Sequence, residues 1–236
     1  DLVEIGQGLN VYSLQLALRI FILGVAYGIL KEEHLSNSAR SMFVHTASQV
    51  LYDTGGYESH ESIVELLNED LKILKNRAKE TRNQVTSKEF LETEFNDAYN
   101  NITKKIDRES FLFLNENYHN VIEKALNFIE VIPFNASSHA GGSIPIIKWY
   151  EEGYARILVG GHGLDRGYTV EGLTVSYLFR KPSKNLDTTL QRARFFGYHS
   201  KNLDLFRIFL PDNSNTFFKS AAKTEKYLRE HLIKYL

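Results

Sequence analysis

Apolar residues recur at helical spacing over residues 9–30, with Leu14, Leu18, Ile22 and Val25 on one face and apolar neighbours closing the circle toward the end. That pattern predicts a core helix. After the polar turn Ser36-Asn37-Ser38, the compact run Met42-Phe43-Val44 predicts a buried strand, the first of the domain, with His45, Thr46 and Ser48 at its C-terminal tip. From Tyr57 to Asn127 the chain turns to charged, amphipathic helices. Ile63, Leu66, Leu67, Leu71 and Leu74 mark one; Thr86-Ser87-Lys88-Glu89 reads as a capping box opening a second, with Leu91, Phe95, Ala98, Ile102 and Ile106 on one face; a third covers Glu109 to Phe128. Strand character returns at Ile129–Asn135, and a short helix is expected over Ile144–Glu152. Further strands are expected at Ile157-Leu158-Val159, at Leu173–Phe179 and at Leu205–Leu210, the last stopped by Pro211-Asp212. Thr216–Leu236 closes the chain as an amphipathic helix carrying Phe217, Ala221, Tyr227 and Leu228.

Five strands separated by helices give a βαβ alternation, and therefore an α/β fold with a mainly parallel sheet covered on both faces. A parallel crossover needs about a dozen residues, so residues 57–127 are expected to be a helical insertion within one domain spanning 1–236. Their charge runs, including Lys72 to Arg82, read as solvated faces or as a contact to DNA or a partner. No internal repeat or low-complexity segment occurs.

The 236 residues are 43% hydrophobic, enough to bury a sizeable core. There is no cysteine, which excludes disulfides and thiolate metal sites and suits a reducing cytoplasm. The densest apolar run, Ile20–Leu30, is well short of the roughly 20 residues that span a bilayer, so no membrane association is expected. The sequence opens on Asp1, so either an initiator methionine or an upstream region is expected to precede it. The net charge of −1 conceals an asymmetry: residues 155–236 carry 14 Lys and Arg against 7 Asp and Glu, whereas residues 1–154 carry 14 against 22. A basic half joined to an acidic one suggests a one-sided surface for a polyanion such as nucleic acid; mutual neutralisation of the halves is the alternative.

The chemistry is concentrated between Ala155 and Tyr198. An apolar strand runs into a Gly-rich turn holding Asp165-Arg166-Gly167, a second strand follows, and after a polar loop come Gln191, Arg192 and Arg194. Glycine turns with arginines at strand ends place positive charge and free backbone N–H groups where phosphates bind; a structural turn followed by a salt-bridged helix is the plainer reading. The loop Ala136-Ser137-Ser138-His139-Ala140-Gly141-Gly142 offers hydroxyls and N–H groups suited to a phosphodiester backbone, or is simply a flexible connector. Glu171 is expected to cap or orient the Gly-rich turn, and His45 reads more as a hydrogen-bonded structural residue than as a chemical group. No G-x-x-x-x-G-K-[ST] occurs, so the chain cannot by itself cradle a triphosphate in the P-loop manner. Nor is there a P-D…E-x-K or H-E-x-x-H arrangement, and the eight histidines are scattered, so no metal site is expected.

The strand, Gly-turn, Arg-Gly block followed by Gln-x-x-Arg resembles motifs five and six of the second RecA-like domain of superfamily-two helicases and translocases. More closely, GGHGLDRGYTVEGLTVSYLFR, DTTLQRARFFGY and SMFVHTAS resemble the Z-one (Z1) domain family, which is labelled as an endonuclease and whose members occur as the C-terminal part of helicase-like ATPases in bacterial restriction and phage defence. The resemblance covers nearly the whole chain and is most specific over residues 155–210. It implies a RecA-like fold of the helicase C-terminal type, with ATP and Mg²⁺ held mainly by an upstream P-loop ATPase domain of the same protein, absent from this chain. Carried over residue by residue, Arg194 matches the arginine finger and Gln191 the glutamine that contacts the γ-phosphate. Gly163, Asp165, Arg166 and Gly167 fall in the nucleotide-side motif, and His45, Thr46, Ser48, Ser137, Ser138 and Thr169 on the nucleic-acid track. The sequence departs from the helicase pattern at Ala193, His199 and His162.

The function this implies is the C-terminal half of a cytoplasmic DNA-dependent ATPase, a helicase or translocase inactive when isolated. A Mg²⁺-dependent DNA endonuclease domain and a non-catalytic DNA or protein docking module are the alternatives.

Overall fold

The computed structural model describes residues 2–5, 10–35, 38–45, 60–80, 84–104, 106, 118–134, 145–149, 153–160, 169–178 and 202–233. Six strands form one sheet: β1 (Leu2–Ile5), β2 (Arg40–His45), β3 (Ile129–Phe134), β4 (Ala155–Gly160), β5 (Leu173–Leu178) and β6 (Arg207–Pro211). Their order is β1-β6-β5-β2-β4-β3, and every pair is parallel. The expected α/β class and parallel sheet are what the chain adopts. Strand β1 was not anticipated, so the Met42 strand is second rather than first. At four residues, β1 is too short to carry a periodic signal and exists by pairing with β6.

Strands β2, β4 and β5 are buried at every position, which is why they read as continuous apolar runs. On one face Met42, Val44, Ile157, Val159, Val175, Tyr177 and Phe209 meet the helices; on the other Phe43, Phe134, Leu158, Leu178 and Leu210 form a second core. The bulge at Thr174, the extra residue between the Ser41–Leu173 and Met42–Val175 pairs, lies where β5 enters the sheet.

Helix α1 (Val11–Leu30) is capped by Asn10, whose side chain accepts from the Ser13 N–H at 3.1 Å. It packs on β2 and β5 and is covered in turn by α3 (Gln84–Ile102) and α4 (Tyr118–Phe128), which explains an apolar sequence all round the helix. By length and composition α1 could cross a bilayer, yet most of it is buried in this core. Helix α2 (His60–Glu80) lies over β3 and β4. Arg19 of α1 joins three helices, reaching Asp70 of α2 and Glu94 of α3 at 2.8 Å each. Arg77 also pairs with Glu94 and lies over the Phe90 ring, so the expected solvated face of α2 is interrupted at that residue.

Several local expectations are corrected. Helix α3 starts at Gln84, which puts Thr86 inside its first turn rather than at its cap. Of the third expected helix, Tyr118–Phe128 is described and helical, while residues 109–117 lie outside the described residues. Residues 145–148 are not helical: Pro145 lacks a donor, Ile147 and Trp149 anchor on the second core, and the Arg156 guanidinium takes the Lys148 and Trp149 carbonyls at 3.3 and 3.4 Å. The last strand starts at Arg207, after a 3₁₀ turn at Leu203–Leu205, and ends on Pro211. Arg207, fully buried, is held by Asn101 Oδ1 at 2.6 Å and the Asp204 carbonyl at 2.7 Å. The C-terminal helix α5 (Asp212–Ile233) begins earlier than expected, and its Tyr227 and Leu228 are exposed rather than packed.

Gly172 has φ +65°, and a Cβ there would lie 1.8 Å from the Ala39 carbonyl oxygen, in the turn that launches β5 beside β2. Gly153 has a similar φ of +62° but open space, its nearest atom being Arg156 Nη2 at 3.8 Å. Gly153→Ala therefore carries only backbone strain, about 1 kcal/mol, whereas Gly172→Ala adds a clash and should cost more than about 3 kcal/mol in denaturant unfolding. Equal costs would contradict this packing.

Candidate functional site

In a parallel sheet all strands end at one edge. Here the final residues of four neighbouring strands stand in one register row: Phe134, Gly160, His45 and Leu178. The segments that follow them are residues 135–144, 161–168, 46–59 and 179–201. The first carries Ser137 and Ser138, the second Gly163, Asp165, Arg166 and Gly167, the third Thr46 and Ser48, and the fourth Gln191 and Arg194. These ten residues lie outside the described residues; what the structure establishes is where their segments leave the sheet.

Chain direction adds a second constraint. After β2 the chain moves outward to β3, returns through β4 and passes β2 to reach β5, then continues to β6 on the other side. The connections leaving His45 and Leu178 thus part in opposite directions from adjacent strands. Such a switch point opens a crevice outside the carboxyl ends of the strands, the usual ligand position in open parallel sheets.

His45 is buried at the centre of this row, its ring edge-on to Phe43 with centroids 5.7 Å apart. Two rows below, level with Phe43, Ser176 is also buried, and its Oγ has no hydrogen-bond partner among the described residues. Thr169 is exposed at the entrance to β5, at the opposite edge of the sheet from His45, so the structure does not bring these two expected track residues together. Glu171 lies at that entrance as well, where its carbonyl accepts from Ser41 Oγ at 2.7 Å. Among the described residues, no cluster of three or more His, Asp or Glu side chains is arranged to hold a metal ion.

The start of α1 reaches the same edge, a feature the sequence reading missed. The buried Tyr177 hydroxyl, next to the end of β5, contacts Ser13 Oγ at 2.7 Å and donates to the Asn10 carbonyl at 3.1 Å. Burial raises the Tyr177 pKa, and its bonds to Ser13 and Asn10 oppose that shift. The detectable signal was Leu2–Ile5 followed by Gly6-Gln7-Gly8 and a capping Asn, the pattern of a first βα turn. Residues 6–9 lie outside the described residues.

An all-parallel α/β sheet with its motif-bearing segments issuing from one edge defines the class of domain. The Z1 domain family matches residues 13–236, and the chain belongs to that family. No curated protein and no solved structure matches it.

Tyr177→Phe removes a buried hydroxyl and leaves Ser13 without that partner. It should cost about 1–2 kcal/mol and speed amide exchange in the first turn of α1 while leaving exchange in α2 unchanged. Uniform acceleration through all helices would show that the bond has no local role.

Proposed function

We propose that this chain is one half of a DNA-dependent ATPase, a RecA-like domain that presents an arginine to a nucleotide held by a separate P-loop domain. The observation that carries the reading is the register row at the switch point. The segment with Arg166 leaves from Gly160 and the segment with Arg194 from Leu178, on either side of His45. Arginine suits the task because its planar guanidinium stays charged and meets two phosphate oxygens at once.

The four strand ends of the row, Phe134, Gly160, His45 and Leu178, include no carboxylate that could hold Mg²⁺, and the sequence contains no Walker loop. They do not fit a complete ATP site. The cradle and the metal are therefore assigned to the P-loop partner domain. This chain contributes the Arg194 charge, Gln191 toward the γ-phosphate, and the Gly163–Gly167 turn that couples the nucleotide side to the DNA side. Thr46, Ser48, Ser137 and Ser138, on segments leaving the same edge, together with the basic character of residues 155–236, support a DNA backbone as the second partner. The setting is a cytoplasmic restriction or phage-defence complex.

An arginine finger is worth roughly 10³–10⁵ in rate. In the full-length protein, Arg194→Ala is expected to abolish most DNA-stimulated ATP turnover without changing the fold, and Arg192→Ala to do far less. Unchanged turnover in Arg194→Ala removes the assignment; a larger loss for Arg192→Ala moves the finger to that residue. The chain on its own should bind DNA weakly, with affinity falling steeply as salt rises. Binding insensitive to salt would argue against a backbone track, and cleavage of plasmid DNA with Mg²⁺ or Mn²⁺ would replace the proposal by a nuclease.

A further inference from the structure

The opposite edge of the sheet holds a cluster that the proposed ATPase does not use. Arg40 opens β2 with its side chain on the helical face, and the residue is only 1% exposed. Its Nη2 pairs with the Glu33 carboxylate, and its Nε lies 3.4 Å from the Tyr154 hydroxyl, which itself donates to Glu33 Oε2 at 3.2 Å. The cluster presses so closely on α1 that a Cβ on Gly28 would lie 1.9 Å from the Tyr154 oxygen. One donor remains over: Arg40 Nη1 is buried with no partner among the described residues.

His34 adds a second. Its ring packs against Tyr154 and Phe128, at centroid distances of 6.3 and 5.7 Å, and its Nε2 is 2.8 Å from Lys124 Nζ. An ammonium group has no lone pair to offer, so Nε2 must accept and the proton of the neutral ring sits on Nδ1. Burial first, and then the Lys124 charge, lower the His34 pKa, which keeps the ring neutral. Nδ1 is buried and, like Arg40 Nη1, has no partner among the described residues.

Both leftover atoms are therefore donors, and both belong to residues that touch Tyr154. Among the described residues, what the cluster lacks is an acceptor. The charge of the described residues is unbalanced in the same sense, since Arg40 and Lys124 are cations and Glu33 is the carboxylate they show in direct contact. Lys124 and Phe128, the two α4 residues that touch His34, also line a surface cavity of about 330 Å³ together with Asn120, Glu123 and Asn127.

We propose that this corner binds a small oxyanion, a carboxylate or phosphate group, which enters by the cavity past Lys124 and Phe128 and accepts from His34 Nδ1 and Arg40 Nη1. Glu123, on the cavity wall, and Glu32, whose charge acts on His34, oppose the anion and limit the site to a small one. The site lies across the sheet from the His45 row, so its occupancy is separable from the proposed nucleotide edge.

The test is thermal unfolding of the full chain at pH 7.5 in sodium phosphate or sodium acetate, against sodium chloride at matched ionic strength. At least one oxyanion should raise the unfolding temperature saturably by about 2–4 °C over chloride. The rise should disappear in His34→Phe, which keeps the ring packing but removes Nδ1, and in Lys124→Met, and should grow in Glu123→Gln. An equal response to all three salts, or a rise undiminished in both His34→Phe and Lys124→Met, would overturn the proposal. The His34 imidazole nitrogen signals provide a readout independent of variant stability: Nδ1 should shift on titration with the stabilising anion, and a stationary signal would mean that water alone fills the gap.

Discussion

Strand β2 is hydrogen-bonded on both sides along its whole length, to β4 from Arg40 through His45 and to β5 from Ser41 through His45. All six of its residues are buried. Backbone donors and acceptors so placed have no water to turn to, so the parallel ladder on each side must be complete. This requirement sets the register of the two strands on either side and thereby fixes which residues finish level with His45. It also makes demands at the other end. Gly172 must pass within contact of the Ala39 carbonyl, and Thr174 is bulged out so that β5 can begin against Ser41 and still run in step from Met42 onward.

The helical layer follows from the same strand. Met42 and Val44 present an apolar surface that α1 covers, and α1 is then so thoroughly apolar that α3 and α4 must cover its other side. The stack becomes three deep, and its polar contacts fall where the layers meet: Arg19 between Asp70 and Glu94, Arg207 at the Asn101 end of α3, Tyr177 at the start of α1. The first ties three helices together, and the other two tie a helix to a position on the sheet. In the proposed function, a level row of strand ends and a rigid layer behind it hold motif-bearing segments at one edge.

Much of this was legible because the buried strands announce themselves. Met42-Phe43-Val44 and Ile157-Leu158-Val159 are short aliphatic or aromatic runs, and both are fully buried parallel strands. What was not legible depended on partners distant in sequence. β1 exists through β6, the bulge exists through β2, and the stretch at 145–149 is held out of a helix by Ile147, Trp149 and the Arg156 side chain. Of the site residues, only His45 and Thr169 are among those described, and they sit at opposite edges. The motifs could be read from sequence, but the level row of strand ends could not, because register emerges only from pairing. The cluster of Glu33, His34, Arg40, Lys124 and Tyr154 was invisible for a similar reason, since its members are spread from residue 33 to residue 154 and meet only when the sheet closes.

The central claim is that the Arg166 and Arg194 segments share one edge of the sheet. The absence of cysteine allows a clean double label, so the direct measurement is a spin-label distance between His162→Cys and Ala193→Cys in the intact chain. Gly160 and Leu178 are separated by one intervening strand, about 10 Å, and a six-residue strand is about 20 Å long. A distribution centred below about 20 Å is the result the account predicts; one centred above about 30 Å would place the two segments at opposite ends of the sheet and contradict it.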